Sequence, residues 1–222
     1  MKKQYGNIYL KRFGYFNLYV IKGKNGDVLI DTGFIGMRKS LKRWLDKFNI
    51  KLVILTHAHV DHIWNASYIK KLYNCDIAIG GMDIDNIDNR NIHSMPIKYC
   101  YKNWTKLMNW GMKKFIAKKF DVDMHLRDNQ IIRRYGIKLK IVSLPGHTDG
   151  SVGILYDDYF FVGDALVNRR RHLGVAYQNQ NNEAALTSSK KIIEIAPKMV
   201  FVGHDKAFIM TEDIKEIINS YC

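Results

Sequence analysis

Four metal-binding side chains lie within six consecutive positions of the sequence. His57, His59, Asp61 and His62 directly follow an apolar run at 52–55. Imidazole nitrogens and carboxylate oxygens are common ligands of zinc and other divalent transition metals. Because His57 and His59 are two positions apart, their side chains point to the same side of an extended segment and can share one ion. We expect Asp61 and His62, where the chain begins to coil, to face a second ion.

Three more ligand-type residues each follow an apolar run with the character of a buried strand. They are His147, Asp164 and His204, and a glycine precedes each of them directly. Glycine lets the chain turn sharply at the end of a strand. In layered α/β proteins, ligands bind on loops that a rigid sheet holds at the strand ends. We therefore expect these three residues to meet His57 at one edge of a sheet.

The elements that position these residues follow from hydrophobic periodicity. Alternating or continuous apolar residues between turn residues predict strands, and apolar residues at intervals of three and four predict helices. On this basis we expect strands at 52–55, 75–80, 137–143 and 198–202, hairpins at 16–30 and 151–162, and helices at 36–48, 63–73, 184–195 and 214–218.

Residues 82–128 show a different pattern, with apolar positions near helical spacing on a basic background. This pattern predicts a helical insertion, which could be either a lid over a pocket or a helix that simply covers the sheet. In the first case Trp104 and Met108 are candidate substrate contacts, since methionine and tryptophan adapt well to apolar groups.

Length and composition indicate one globular domain over residues 1–222. The chain is 47% hydrophobic, and no stretch rich in proline, glycine or serine marks a linker. Cys75, Cys100 and Cys222 are scattered and odd in number, which argues against a disulfide framework and favours a reducing compartment. No apolar run is long enough to cross a bilayer or to form a secretion signal. We therefore expect a cytoplasmic protein that does not interact with membranes.

The net charge of +14 predicts attraction to anionic molecules without identifying them. An arginine triplet at 169–171 comes shortly after Asp164, so its loop could overhang the expected metals. We predict substrate contacts from this loop by Arg171, His172 and Tyr177. Nucleic acid is a possible partner but a less favoured one, because no recognisable nucleic-acid-binding module is present. The sequence predicts no oligomeric state.

Four segments together resemble the metallo-β-lactamase superfamily of metal-dependent hydrolases. They are His57-Ala58-His59-Val60-Asp61-His62, Pro145-Gly146-His147-Thr148, Gly163-Asp164 and Gly203-His204, and they occur in the family's order over nearly the whole chain. The chain is more similar to the lactonase and glyoxalase II-like branch than to true β-lactamases, which lack the aspartate present here as Asp164. The resemblance implies an α/β fold, an αββα sandwich of two mixed β-sheets flanked by helices, with a two-metal site at one edge.

The resemblance also implies a role for each ligand. His57, His59 and His147 would bind the first metal, Asp61, His62 and His204 the second, and Asp164 would bridge the two. Asp31 occupies the place of a family aspartate that supports the site from behind. The metals would be two divalent ions per chain, with zinc expected and iron or manganese as alternatives.

Two bridged dications activate water at neutral pH, so hydrolysis needs no serine or cysteine nucleophile. We expect a hydroxide held between the metals to cleave a small ester-like substrate, a lactone or a thioester that carries a negative group. Asp61 is the candidate catalytic residue, because it could orient the hydroxide or accept a proton. Two alternatives stay open: hydrolysis of phosphodiesters in nucleotides or nucleic acid, and redox chemistry with one iron on the same scaffold.

Overall fold

The first of two large sheets contains the strands that precede His57. The computed structural model describes residues 2–34, 36–88, 119–169, 172–176 and 179–220. Strands β1 to β4 pair antiparallel in sequence order, and β4 to β7 pair parallel. The strands are β1 (Lys2–Tyr5), β2 (Ile8–Phe13), β3 (Phe16–Ile21), β4 (Asp27–Ile30), β5 (Ile50–Leu55), β6 (Asp76–Gly80) and β7 (Met124–Leu126).

The second sheet has the order β15-β14-β11-β10-β9-β8, in which only β11 and β14 pair parallel. Its strands are β8 (Ile131–Arg134), β9 (Ile137–Ser143), β10 (Val152–Tyr156), β11 (Tyr159–Gly163), β14 (Met199–Val202) and β15 (Phe208–Ile209). A separate hairpin consists of β12 (Leu166–Arg169) and β13 (His172–Val175). Along β9 the buried Ile137, Leu139 and Ile141 alternate with exposed lysines, as the sequence predicted.

The helices lie on the outer faces of the two sheets. On α1, Leu41, Trp44 and Leu45 form the buried stripe that the sequence predicted. None of the described helices is both long and apolar enough to cross a membrane. The helices are α1 (Arg38–Leu45), α2 (Val60–Ile63), α3 (Ala66–Tyr73), α4 (Ile84–Asp88), α5 (Asn182–Ile195) and α6 (Glu212–Asn219), and Gly81–Asp83 form a 3-10 turn.

Three apolar layers hold the sheets and helices together. One lies between the first sheet and α1 and α3, and another lies between the second sheet and α5 and α6. The middle layer joins the two sheets, because it combines residues such as Leu52 and Ile54 with Ile141 and Ile154. The predicted αββα sandwich of two mixed sheets is confirmed.

Large aromatic side chains lock the two sheets against each other. The ring of Tyr19 from the first sheet packs edge-on against Phe161 and Phe201 of the second, with centroids 5.1 Å from each. The Tyr19 hydroxyl donates a 2.6 Å hydrogen bond to the carbonyl of Val202. Burial of this side chain raises its pKa well above the ordinary tyrosine value, so the hydroxyl remains a donor.

The topology brings the ends of the ligand-bearing strands to one edge of the sandwich. In the first sheet, β4 and β5 are parallel and lead into Asp31 and His57. In the second, β11 and β14 are parallel and lead into Asp164 and His204. Strand β9, which precedes His147, runs in the same direction as β11 because both are antiparallel to β10.

Three parts of the predicted element list differ from the structure. The single helix predicted at 63–73 is wrong, because the chain forms α2 and α3 with a break at Asn65. The Asn65 side chain donates hydrogen bonds to the carbonyls of Thr32 and Phe34, and its amide donates to the Thr32 hydroxyl. These bonds tie the break to the loop after β4. The helix predicted at 36–48 covers only Arg38–Leu45, and the sequence did not indicate β1 and β2.

The predicted insertion at 82–128 is only partly within the described residues. At its start lies α4, and at its end β7 pairs parallel with β6 and extends the first sheet. Trp104 and Met108 lie outside the described residues. The single domain and the lid or packing role of the insertion stay predictions.

Candidate metal centre

The structure brings all seven residues predicted as metal ligands into one cluster. Their ligand atoms form three overlapping groups, and the atoms within each group lie within 4.8 Å of one another. The first group is His57, His59 and His147; the second is Asp61, His62 and His204; the third, which joins them, is His57, His62 and Asp164.

In the first group, nitrogen atoms converge on a buried point. Nε2 of His147 lies 2.9 Å from Nδ1 of His59. His57 is 1% exposed, and its Nε2 has no hydrogen-bond partner among the described residues. Leaving a buried polar atom unsatisfied costs about 1–3 kcal/mol. A cation that accepts the lone pairs of all three imidazoles would remove this cost, so the group fits a divalent metal.

In the second group, two imidazoles and a carboxylate face one another. Nε2 of His204 lies 3.2 Å from Asp61 Oδ2 and 3.4 Å from His62 Nε2. Asp61 Oδ2 is 3.8 Å from His62 Nε2. Asp61 and His204 are partly exposed whereas His62 is buried, so this side of the cluster is open to a ligand from solvent.

Asp164 lies between the two groups. Its Oδ2 is 3.1 Å from His204 Nε2 and 3.6 Å from His147 Nε2, and its Oδ1 is 3.6 Å from His62 Nε2. Within the described part of the chain, Oδ1 has no hydrogen-bond partner although it is buried. A carboxylate in this position can offer one oxygen to each of two ions.

Asp31 supports the second group from behind. Its Oδ2 lies 2.8 Å from His62 Nδ1, which leaves Nε2 of that ring directed into the cluster. The Thr56 amide and hydroxyl also donate to the Asp31 carboxylate, at 2.8 Å and 3.0 Å. A carboxylate behind a histidine fixes the orientation and tautomer of the ring, as is common around metal sites.

A second buried carboxylate, Asp83, was missed in the sequence. Its Oδ2 accepts hydrogen bonds from the Ala58 amide at 2.7 Å and from the Thr148 hydroxyl at 2.8 Å, and its Oδ1 accepts from the Gly150 amide at 3.0 Å. Asp83 follows the strand predicted at 75–80, just as the predicted ligands follow theirs. That pattern was the available signal.

Glycines allow the ligand loops to approach this closely. A Cβ atom on Gly203 would overlap Asp164 Oδ1 and lie 2.7 Å from Cε1 of His62. A Cβ atom on Gly163 would lie 2.8 Å from the Thr56 side chain, and the backbone there has a φ of 54°, which favours glycine.

Electrostatics distinguish the histidines of the two groups in the metal-free protein. Burial, with repulsion from neighbouring imidazoles, lowers the pKa of His57 well below its ordinary value and that of His59 to about 3. For His204, burial lowers the pKa but is outweighed mainly by Asp164, so the pKa rises to about 10. For His62, burial is likewise outweighed, first by Asp31, and the pKa is raised well above the ordinary value.

The carboxylates of the cluster are ionised at neutral pH. Burial raises the pKa of Asp61, but the charges of His62 and His204 outweigh it and hold the pKa at about 2. The same two histidines overcome the burial of Asp164 and hold its pKa well below the ordinary range. At pH 7 His57 and His59 are therefore ready to bind a cation, whereas His62 and His204 must release protons first.

The predicted substrate contacts stay predictions. Arg171, Tyr177, Trp104 and Met108 lie outside the described residues. His172 begins β13, in register with Arg169 across the hairpin.

An aromatic residue that the sequence analysis did not single out, Phe16, lies beside the second group and packs against Phe34. The ring centroid of Phe16 is 5.3 Å from that of His204 and 6.0 Å from that of Phe34.

Comparison with known proteins gives consistent matches over most of the chain. The family model of the metallo-beta-lactamase superfamily matches residues 12–204. A probable metallo-hydrolase of Methanocaldococcus jannaschii is 29% identical over 161 residues, which are 71% of this chain and 70% of that protein.

Two further matches are more distant. A protein named hydroxyacylglutathione hydrolase 1, from Vibrio vulnificus, is 24% identical over 192 residues, and the match covers 85% of this chain and 61% of the relative. The crystal structure of a metallo-beta-lactamase family protein from Thermus thermophilus superposes with a TM-score of 0.73 at 19% identity. The superposed region covers 97% of this chain and 78% of the Thermus thermophilus chain. At this identity the likeness concerns the fold alone.

The close approach at Gly203 leads to a first prediction. Gly203→Ala should displace Asp164 or His62 and weaken binding of the second ion about 10–100-fold, as changes around a metal site typically do, so the purified protein should retain about one equivalent where the parent protein retains two. Gly81→Ala is the matched control, because among the described residues a Cβ atom there would meet only the Leu126 carbonyl, at 4.0 Å. The measurement is elemental analysis after dialysis. Equal metal content in both variants would contradict the prediction.

Proposed function

Because the chain belongs to the metallo-beta-lactamase superfamily, we propose that it is a dinuclear metal-dependent hydrolase that cleaves a small ester-like substrate, a lactone or a thioester. Membership makes it a metal-dependent hydrolase. The dinuclear site rests on one observation, the position of Asp164 between two complete sets of ligand-type side chains.

The chain's own residues divide the work of holding two ions. His57, His59 and His147 would hold one, and Asp61, His62 and His204 the other, with Asp164 shared between them. Two ions, when bound, supply Lewis-acid activation of a carbonyl group and of water. His57, His62, His147 and Asp164 are buried, so the donors converge in a poorly hydrated place where electrostatic interactions are strong.

Asp61 is the residue we assign to proton handling. It is partly exposed, and its pKa of about 2 keeps it ionised at neutral pH. Its Oδ2 lies near both imidazoles of the second group, at 3.2 Å from His204 and 3.8 Å from His62. An ionised carboxylate there can orient a nucleophilic water through a hydrogen bond and take up its proton as the nucleophile attacks.

The substrate class is supported by the surroundings of His204. Phe16 and Phe34 are partly buried and present aromatic surface beside the more open second group. An apolar wall next to ligands that polarise an oxygen suits a carboxylic ester or thioester with an apolar portion. The relative named hydroxyacylglutathione hydrolase fits this class, since an acyl-glutathione is a thioester.

Phosphodiester hydrolysis is the second candidate, and the net charge of +14 favours it. A phosphodiester backbone is charged and gains nothing from contact with an apolar wall. We therefore rank phosphodiester hydrolysis below hydrolysis of an ester-like substrate. Zinc is the metal we propose, although histidine and aspartate ligands also suit iron or manganese.

Titration of the metal-free protein with Zn²⁺ tests the two-ion site. We expect two equivalents per chain, of which the second releases protons because His62 and His204 are protonated at neutral pH. Calorimetry in two buffers of different ionisation enthalpy measures the proton release. A single equivalent would rule out the dinuclear proposal.

The same titration has a defined pH dependence. His204 has a raised pKa, so its proton competes with Zn²⁺ at all pH values below about 10. The second equivalent should therefore bind about tenfold more tightly per pH unit for each proton displaced, because one pKa unit is about 1.4 kcal/mol. His59 is already neutral at these pH values, and burial lowers the pKa of His57 as well, so these two ligands should add little pH dependence to the first equivalent between pH 6 and pH 8.

A parallel turnover screen tests the substrate class. We expect the Zn²⁺-loaded protein to hydrolyse a lactone or a thioester faster than a β-lactam or bis(p-nitrophenyl) phosphate. The His59→Ala protein is the blank, because it loses a first-group ligand. Turnover of the phosphodiester alone, abolished in the blank, would reverse our ranking of the two candidates.

The aromatic wall predicts a change in acyl-chain preference. Phe16→Ala should reduce the advantage of a long acyl chain over acetyl by roughly tenfold in kcat/KM, since each buried methylene is worth about 0.8 kcal/mol. Phe48→Ala is the matched control, because Phe48 is also partly buried but precedes β5 at the opposite edge of the sheet from His57. Equal losses on long and short esters in the Phe16 variant would indicate packing alone.

A further inference from the structure

We propose that Asp83 is a positioning residue for the first metal group, which sets the separation of the two loops that carry His57, His59 and His147. This inference rests on the proposed metal site and deepens it. Asp83 lies in the 3-10 turn after β6 and is fully buried.

The contacts of Asp83 join two distant segments of the chain. One oxygen, Oδ2, accepts from the Ala58 amide in the loop after β5 and from the Thr148 hydroxyl in the loop after β9. Ala58 lies between His57 and His59, and Thr148 directly follows His147. A single carboxylate oxygen therefore binds the Ala58 backbone on one side and the Thr148 side chain on the other side of the 2.9 Å approach between His59 and His147.

Two glycines make this contact possible. A Cβ atom on Gly80 would overlap the carbonyl of Gly150, and one on Gly150 would lie 2.6 Å from Cγ of Asp83. The Gly150 amide also donates to Asp83 Oδ1. The end of β6 and the loop after His147 are thus in close contact at Gly80 and Gly150, which have no side chain. This close contact lets the Asp83 carboxylate lie between the ligand loops.

An ionised carboxylate suits this place better than an amide. The Ala58 and Gly150 amides and the Thr148 hydroxyl donate to its two oxygens, and a carboxylate is an acceptor at both. An asparagine side chain in the same place would offer one acceptor oxygen and would turn an NH₂ group toward a donor. Burying an unpaired charge is costly, and the donors around Asp83 offset that cost. We therefore infer that this fully buried aspartate has a specific structural role.

The Thr148 hydroxyl connects Asp83 to the loop that carries His147. It lies 2.8 Å from Asp83 Oδ2 and 2.8 Å from the Ser151 hydroxyl, and the Thr148 amide donates to Ser151 Oγ at 3.0 Å. Thr148 is 1% exposed. The segment that presents His147 is therefore fixed on both sides of this threonine.

The experiment measures Co²⁺ affinity of the full-length protein in the His204→Ala background, which keeps the first group complete and weakens the second. We expect Asp83→Asn to lower the affinity for one Co²⁺ about 10–100-fold and to alter its visible absorption spectrum. The readout is competition with a chelator, so it does not require turnover. If the protein with His204 intact hydrolysed no substrate while the variants bound Co²⁺ in this way, the proposed hydrolase function would be contradicted and this inference would stand.

Asp27→Asn is the matched control for loss of a buried carboxylate. Asp27 is 3% exposed and accepts from the Gly23 and Asn49 amides, but it lies at the beginning of β4, at the edge away from the ligands. We expect it to lower the melting temperature without changing Co²⁺ affinity. Equal Co²⁺ affinities of the Asp83 and Asp27 variants would overturn the positioning role.

A second pair of variants covers the case in which Asp83→Asn does not fold. Thr148→Val keeps the shape of the side chain but removes its hydroxyl, whereas Thr148→Ser keeps the hydroxyl. We expect weaker Co²⁺ binding for valine and near-normal binding for serine. Equal Co²⁺ affinities of the two variants would overturn the proposed link from Asp83 through Thr148 to His147.

Discussion

The hydrogen bonds between Asp31 and Thr56 are the interaction on which the rest of the site depends. They join the ends of the parallel strands β4 and β5, and Asp31 also orients His62. Asp31 has a φ of 61°, a left-handed conformation that costs an aspartate about 1–2 kcal/mol. The Thr56 carbonyl accepts from the Val152 amide of the second sheet, so the same residue connects both sheets at the edge where the ligands lie.

Carboxylates surround the histidines of the site. The four aspartates are Asp31, Asp61, Asp83 and Asp164, and each contacts a ligand residue or the backbone beside one. Two divalent ions, as proposed, would lie beside the ionised carboxylates of Asp61 and Asp164. Asp31 and Asp83 act from behind on different loops, and Asp164 lies between the groups, so the carboxylates fix the positions of the imidazoles as well as balancing charge.

The sequence predicted those parts of the site that depend on local pattern. His57 and His147 follow strands with clear apolar runs, so both the strand and the ligand at its end could be predicted. Asp83 was missed because its partners are largely backbone amides from remote loops, which have no signature in residue type. Strands β1 and β2 were missed because polar residues such as the half-buried Lys11 and Arg12 dilute the apolar pattern near the edge of a sheet. The place of Phe16 depends on how the two sheets pack, which no local pattern specifies.

The aromatic cluster of Tyr19, Phe161 and Phe201 has a mechanical consequence for the site. The first group combines imidazoles from both sheets, and so does the second, so sliding of one sheet over the other would change every ligand spacing that crosses between the sheets. The stacked rings of Phe161 and Phe201, 4.8 Å apart, and the edge-on ring of Tyr19 interlock at close-packed density and resist that sliding. Resistance of the hydrophobic interior to shear therefore keeps the ligands of one sheet aligned with those of the other. This stiffness arises at a distance from any ligand atom.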